Sequence, residues 1–161
     1  MFSAQALIDV HQRTHRSLIQ LIDHCSQLKI GDFDRVLEGF GYGSIRLQLH
    51  HIIGCERYWI GVLCGEMLVD EREEDHESVA ALRRFREQVF STTAEYLKTA
   101  SESELNTPRS VTTWGAGERS LTPALVFLRT QTHAYQHQGQ VAAMCRLVGH
   151  PIPAGLDFPL D

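Results

Sequence analysis

Four stretches of this chain repeat apolar residues at the 3.6-residue period of an α-helix, and strand-like alternation is nearly absent. The first runs from Ser3 to Leu28, with Ala6, Leu7, Val10, Thr14, Leu18, Leu21, Ile22 and Cys25 along one side and Ser3 placed to cap it. Gly31, Gly39, Gly41 and Gly43 then break the pattern. The second runs from a Ser44 cap to Cys64, where Gly65 stops it; Ile45, Leu49, Ile52, Glu56, Trp59, Ile60 and Leu63 mark its inner ridge. The third starts at His76 or Ser78 and reaches Ala100, with Val79, Leu82, Phe85, Val89, Thr92, Tyr96 and Leu97 inward. Thr122-Pro123 opens the fourth, which runs to Val148 and ends at Gly149, with Pro151 beyond. Between the third and fourth, Ser101 to Ser120 is polar, and Val111-Thr112-Thr113-Trp114 is placed to form a short hairpin. His150 to Asp161 reads as an extended tail. Four such helices predict an all-α fold, an antiparallel-type four-helix bundle with long loops after the first and third helices.

A length of 161 residues suits one domain, 1–161, with a real core. The formal charge of −5, with acid gathered in Asp70-Glu71-Arg72-Glu73-Glu74-Asp75 and no basic run, argues against nucleic acid as a partner. No apolar run approaches the roughly 20 residues of a bilayer span, and Met1 to Val10 has no basic start of the signal-peptide kind. Cys25, Cys55, Cys64 and Cys145 lack any C-x-x-C spacing, so we expect reduced, mostly buried thiols in a cytoplasmic protein.

His133 and His137 stand four residues apart on the fourth helix, hence on one face. Their ridge also carries Val126, Thr130, Val141 and Met144, so it points into the bundle. Two inward imidazoles either share a metal ion or each satisfy a buried carbonyl or carboxylate, with Gln140 as one available partner. A third ligand would make an open metal site. Adjacent His50 and His51 differ by about 100° on their helix, so only one can face a given point. His50 shares its ridge with Arg46, Gly54 and Arg57 and is expected to face water; His51 shares its ridge with Cys55, Tyr58 and Val62 and is the candidate. His11 and His15 form another i, i+4 pair, read either as boundary histidines or as groups facing a metal cavity. Glu56, on the inner ridge, is either an acceptor for a histidine N–H or the partner of a buried arginine.

The run from Leu49 to Trp59 resembles the second-helix signature of the DinB/YfiT superfamily, with His51, Glu56 and Trp59 on its marked positions. The run His133 to Gln140 resembles the fourth-helix H-x-x-x-H-x-G-Q signature, and the tail from Gly149 through Asp157 is also similar. Gln136 and Gln138 depart from it, standing where many members carry His and Arg. The resemblance implies up-down-down-up helix order, a homodimer, and a divalent metal, nickel or zinc, held by residues matching His51, His133 and His137. It also implies small-molecule chemistry of the kind done by members that use low-molecular-weight thiols such as bacillithiol, mycothiol or glutathione.

The expected function is therefore a metal-dependent S-transferase activating a small thiol. The alternatives are a metal-dependent hydrolase, with Glu56 or His15 as catalytic base, and a non-catalytic metal-binding stress-response module. An open three-histidine set favours catalysis over a structural ion, which usually has a fourth protein ligand. Cys55 and Cys145 lie on packing faces and are poor nucleophile candidates.

Overall fold

A computed structural model describes residues 1–69 and 73–161; within the acidic run, positions 70–72 lie outside the described residues. Among the described residues the fold is mostly helical, with five α-helices and one small two-stranded sheet. Helix α1 spans Ala4–Cys25, and the Ser3 hydroxyl accepts from the Ala6 N–H at 3.2 Å. It ends at Cys25 rather than Leu28, because the N–H groups of Gln27 and Leu28 turn back onto the carbonyls of His24 and Cys25, three residues behind. Helix α2 spans Ile45–Cys64, capped by Ser44. It closes in a Schellman motif: Gly65 takes φ +79°, and the Glu66 N–H donates to Gly61 O at 2.8 Å.

A short 3₁₀ turn over Glu73–His76 precedes α3, Val79–Thr99, which Ser78 caps; of the two starts weighed, Ser78 is the one used. A five-residue helix, α4 (Glu102–Asn106), was not expected; Ser101 caps it. Strands β1 (Arg109–Thr113) and β2 (Gly117–Leu121) form the hairpin beside Trp114, with Val111 opposite Arg119. Helix α5 spans Pro123–Leu147, with Pro123 in its first turn and Thr122 at the cap position without a side-chain capping bond.

Both α1 and α2 pack against α3 and α5. Two apolar clusters result. One gathers Leu18, Leu21, Ile22, Ile45, Leu49, Ile52, Phe85 and Met144, with Phe33, Leu37 and Phe40 of the Gly-rich segment packed on it. The other gathers Leu7, Ile60, Leu97, Leu105 and Phe127. Along each helix a buried polar stretch separates them: His11 and His15 on α1, Glu56 on α2, Thr93 on α3, Thr130 and Gln131 on α5. The inward residue of α3 is thus Thr93, whereas Thr92 is exposed. Cys25 and Cys145 are buried, Cys55 is half-buried and Cys64 is exposed, all four as free thiols. Among the described residues no helix is long and apolar enough to cross a membrane.

Gly61 marks the tightest approach. A Cβ there would lie 2.5 Å from Glu66 O and 3.2 Å from the Leu68 side chain, whereas a Cβ at Gly54 would meet nothing within 4 Å. The carbonyl cannot retreat without spoiling the helix-ending bond. Gly61→Ala is expected to destabilise by about 1–3 kcal/mol, the overpacking cost exceeding the helix-propensity gain. Gly54→Ala is expected to stabilise by up to about 1 kcal/mol. Urea unfolding of both variants checks the pair.

Candidate metal centre

Helix α2 presents side chains to two separate polar clusters. The first is formed with α5. Rings of His51, His133 and His137 converge, with centroid separations of 4.9, 4.6 and 4.3 Å. One nitrogen from each lies within 4.8 Å of the others. His51 Nε2 and His133 Nε2 are 3.2 Å apart. Two nitrogens bound to one ion at about 2.0–2.1 Å stand roughly 2.8–3.4 Å apart for bond angles between 90° and tetrahedral. The pair has that spacing.

The protons are short for a self-satisfied hydrogen-bonded cluster. Gln48 Nε2 donates to Tyr42 O at 3.0 Å and to Gln140 Oε1 at 2.7 Å, which orients the amide. Gln48 Oε1 then accepts from His137 Nδ1–H at 2.7 Å. His137 Nε2 is left as a lone pair, and at most one proton can serve the contact between His51 and His133. His133 Nδ1 is buried without a partner. Converging lone pairs repel one another, and a shared cation removes that repulsion; the donor set fits a divalent transition metal. Burial, then the neighbouring rings of His137, His133 and His50, pushes His51 down to about 4. Burial, then His137 and the Arg129 charge, pushes His133 down to about 4. Burial also lowers His137. The rings are therefore neutral, as ligands must be. The Tyr42 ring stacks on His51 at 3.9 Å and covers one face.

The second cluster lies between α1, α2 and α3. Glu56 Oε1 accepts from His11 Nε2 at 2.9 Å and from the Thr93 hydroxyl at 2.7 Å, and Oε2 accepts from His15 Nε2 at 2.9 Å. Burial alone pushes the Glu56 carboxyl up, but the charge of His15 and the hydrogen bonds from both histidines outweigh it and hold the group well below the usual carboxylate range. Burial lowers His15 more than Glu56 raises it.

Several expectations change on this geometry. His11 and His15 are not boundary residues, being 1 % exposed each. Glu56 pairs with these histidines, not with an arginine, and serves neither His51, His133 nor His137. His50 does not face water: it is buried, its ring stacked on Phe85 at 5.6 Å and tilted against His76 at 5.0 Å. Gln138, one of the two departures from the family signature, is buried and accepts from Ser17 at 2.9 Å, tying α1 to α5. Sequence reasoning missed Gln48, whose signal was its place three residues before His51 on a ridge facing α5. It also missed Tyr42, hidden in the Gly-rich segment.

A family model described as DinB family matches residues 4–161, so the chain belongs to the DinB family. No curated protein matches it.

The Glu56 carboxylate supplies a pH signature. Its pKa is depressed on folding, so its stabilisation is complete above the ordinary carboxylate value near about 4.3 and is lost as pH falls from there toward the folded value. Glu56→Gln is expected to cost about 3 kcal/mol or more at neutral pH, by leaving buried donors poorly matched, and to flatten the acid limb of stability below pH ~4.5. Chemical unfolding from pH 7 to 3 measures both.

Proposed function

We propose that this member of the DinB family is a metal-dependent S-transferase, with His51, His133 and His137 holding a nickel or zinc ion and a low-molecular-weight thiol as co-substrate. The observation that carries the reading is the convergence of three neutral imidazole nitrogens from two helices with too few protons to satisfy one another. A divalent ion bound there supplies the Lewis acidity that lets a thiol lose its proton at neutral pH.

The chain's own groups prepare that chemistry. Gln48, itself held by Tyr42 O and Gln140, fixes the His137 tautomer so that Nε2 faces the other rings. Tyr42 screens the face of His51. The nucleophile comes from outside, because burial pushes the nearby Cys55 thiol up to about 11. In the transfer, the thiol sulfur bonds to an electrophilic carbon, the leaving group departs with its electron pair, and the thiol proton passes to solvent. Hydrolysis would need a free general base. Glu56 and His15 are bound to each other and to His11 and Thr93, which favours transfer over the hydrolytic alternative.

The up-down-down-up order belongs to the same reading. It is supported by contacts of α1 with α5 at Ser17–Gln138 and with the segment just after α5 at His24–His150, of α2 with α5 at Gln48–Gln140 and His51–His133, and of α1 with α3 at Asp23–Arg83. A homodimer is the expected assembly, on family resemblance.

Metal analysis of purified protein is expected to give about one nickel or zinc per chain, falling at least tenfold in His133→Ala and His51→Ala but not in His50→Ala. Unchanged stoichiometry in His133→Ala rejects the ligand set. Loaded protein is expected to consume free thiol in the presence of alkylating electrophiles across a panel of bacillithiol, mycothiol and glutathione. No turnover, together with an ion closed off by four protein ligands, would favour the stress-response module.

A further inference from the structure

The seam between α2 and α5 does not end at the three imidazoles. On α2, His51, Cys55 and Trp59 follow at four-residue steps; on α5, His133, Arg129 and Leu125 follow in the opposite direction. Four-residue steps keep each set on one ridge. The Arg129 guanidinium lies over the Trp59 ring, 4.9 Å from its centroid. That contact uses the cation's face and leaves its N–H edges available.

Beside this pair, β2 and the start of α5 wall a groove of about 480 Å³. Arg119 and Arg129 line it, together with the hydroxyl-bearing Ser120 and Thr122 and apolar Leu121 and Leu125. None of its lining residues is acidic. Several other arginines are matched to carboxylates: Arg13 to Asp9, Arg46 to Asp34, Arg83 to Asp23 and Arg109 to Glu104. Arg119 and Arg129 form no such pair among the described residues. On a chain of net charge −5, two unneutralised guanidinium groups facing one apolar-walled groove are a local reversal of sign. The Thr122 hydroxyl, which makes no capping bond, is a further donor.

We infer that this groove binds the anionic end, a carboxylate or phosphate, of the small molecule whose reacting end lies at the three-histidine centre. The inference rests on the metal-site reading for its second half and names the substrate class of that site. Four residues of helix rise place Arg129 about 6 Å from His133 along α5. The ligand is therefore an amphiphile: an oxyanion at the arginines, an apolar body against Trp59 and Leu125, and a reactive group at its other end. Arg129 and Arg119 are positioning and binding residues here, not catalytic ones.

With Trp114→Phe in the full-length protein, Trp59 is the one remaining indole and reports on the groove by fluorescence. Titration uses 3-phenylpropionate and phenyl phosphate as anionic probes and 3-phenylpropanamide as the neutral match. A saturable response to at least one anion is expected. It should be about tenfold weaker for the amide, and about tenfold weaker again for the anion after Arg129→Gln, the loss of one charge-assisted hydrogen bond. Whichever anion binds more tightly identifies the headgroup. The response should persist in His133→Ala, which separates this proposal from the fate of the metal site. Three results would overturn it: no saturable response to either anion, equal affinity for amide and anion, or anion binding untouched by Arg129→Gln and Arg119→Gln together. Anion binding that vanishes in His133→Ala would place the charge at the imidazoles and overturn it as well. Both arginines are exposed, so unchanged helical circular dichroism confirms that the variants report binding and not unfolding.

Discussion

A single carboxylate in the interior governs how three helices meet. An unpaired charge buried to the degree of Glu56 would cost several kcal/mol. It is tolerated because His11, His15 and Thr93 all deliver hydrogen bonds to it. These donors come from α1 and α3, so α1, α2 and α3 share one register. Sliding α1 or α3 by one turn, or turning α2 about its axis, would strand the charge. Apolar packing above and below this layer is adaptable by comparison, since aliphatic side chains exchange neighbours at small cost. The polar layer is therefore the part of the core with the most exacting partners.

That register also decides which side of α2 looks at α5. Glu56 and His51 lie five residues apart, about 140° around the helix. With Glu56 directed at α1 and α3, His51 turns toward α5, where His133 and His137 meet it. The same helix thus carries an ionised cluster on one side and a neutral, proton-poor one on the other. The two differ in what answers the histidines: a carboxylate that takes their protons in hydrogen bonds, or only other imidazoles and one amide.

Helix positions were legible because they depend on local rules. Ser44, Ser78, Gly65 and Pro123 each act where capping chemistry puts them, and the hairpin at Trp114 forms with β1 on the β-branched run Val111-Thr112-Thr113. The pairing of His133 with His137 follows from helix geometry alone, and the ridge argument chose His51 over His50. What escaped was nonlocal. His11 and His15 flank two arginines, so a single-helix view put them at the edge of the stripe; only a carboxylate supplied by another helix makes them core residues. His50 is buried for the same reason: the rings that cover it, Phe85 and His76, come from outside its own helix. Thr92 and Thr93 cannot be told apart without the angular position of α3, and α4 is too short for periodicity to register.

The hairpin hangs from the bundle in a particular way. At its tip the Trp114 N–H donates to the Tyr58 hydroxyl at 2.8 Å, and at its far end β2 runs through Thr122 directly into α5. No slack linker separates strand from helix. The hairpin is thus joined to both rods that supply the imidazoles, to α5 through the chain itself and to α2 through Tyr58 and through Arg109, which donates to Leu63 O.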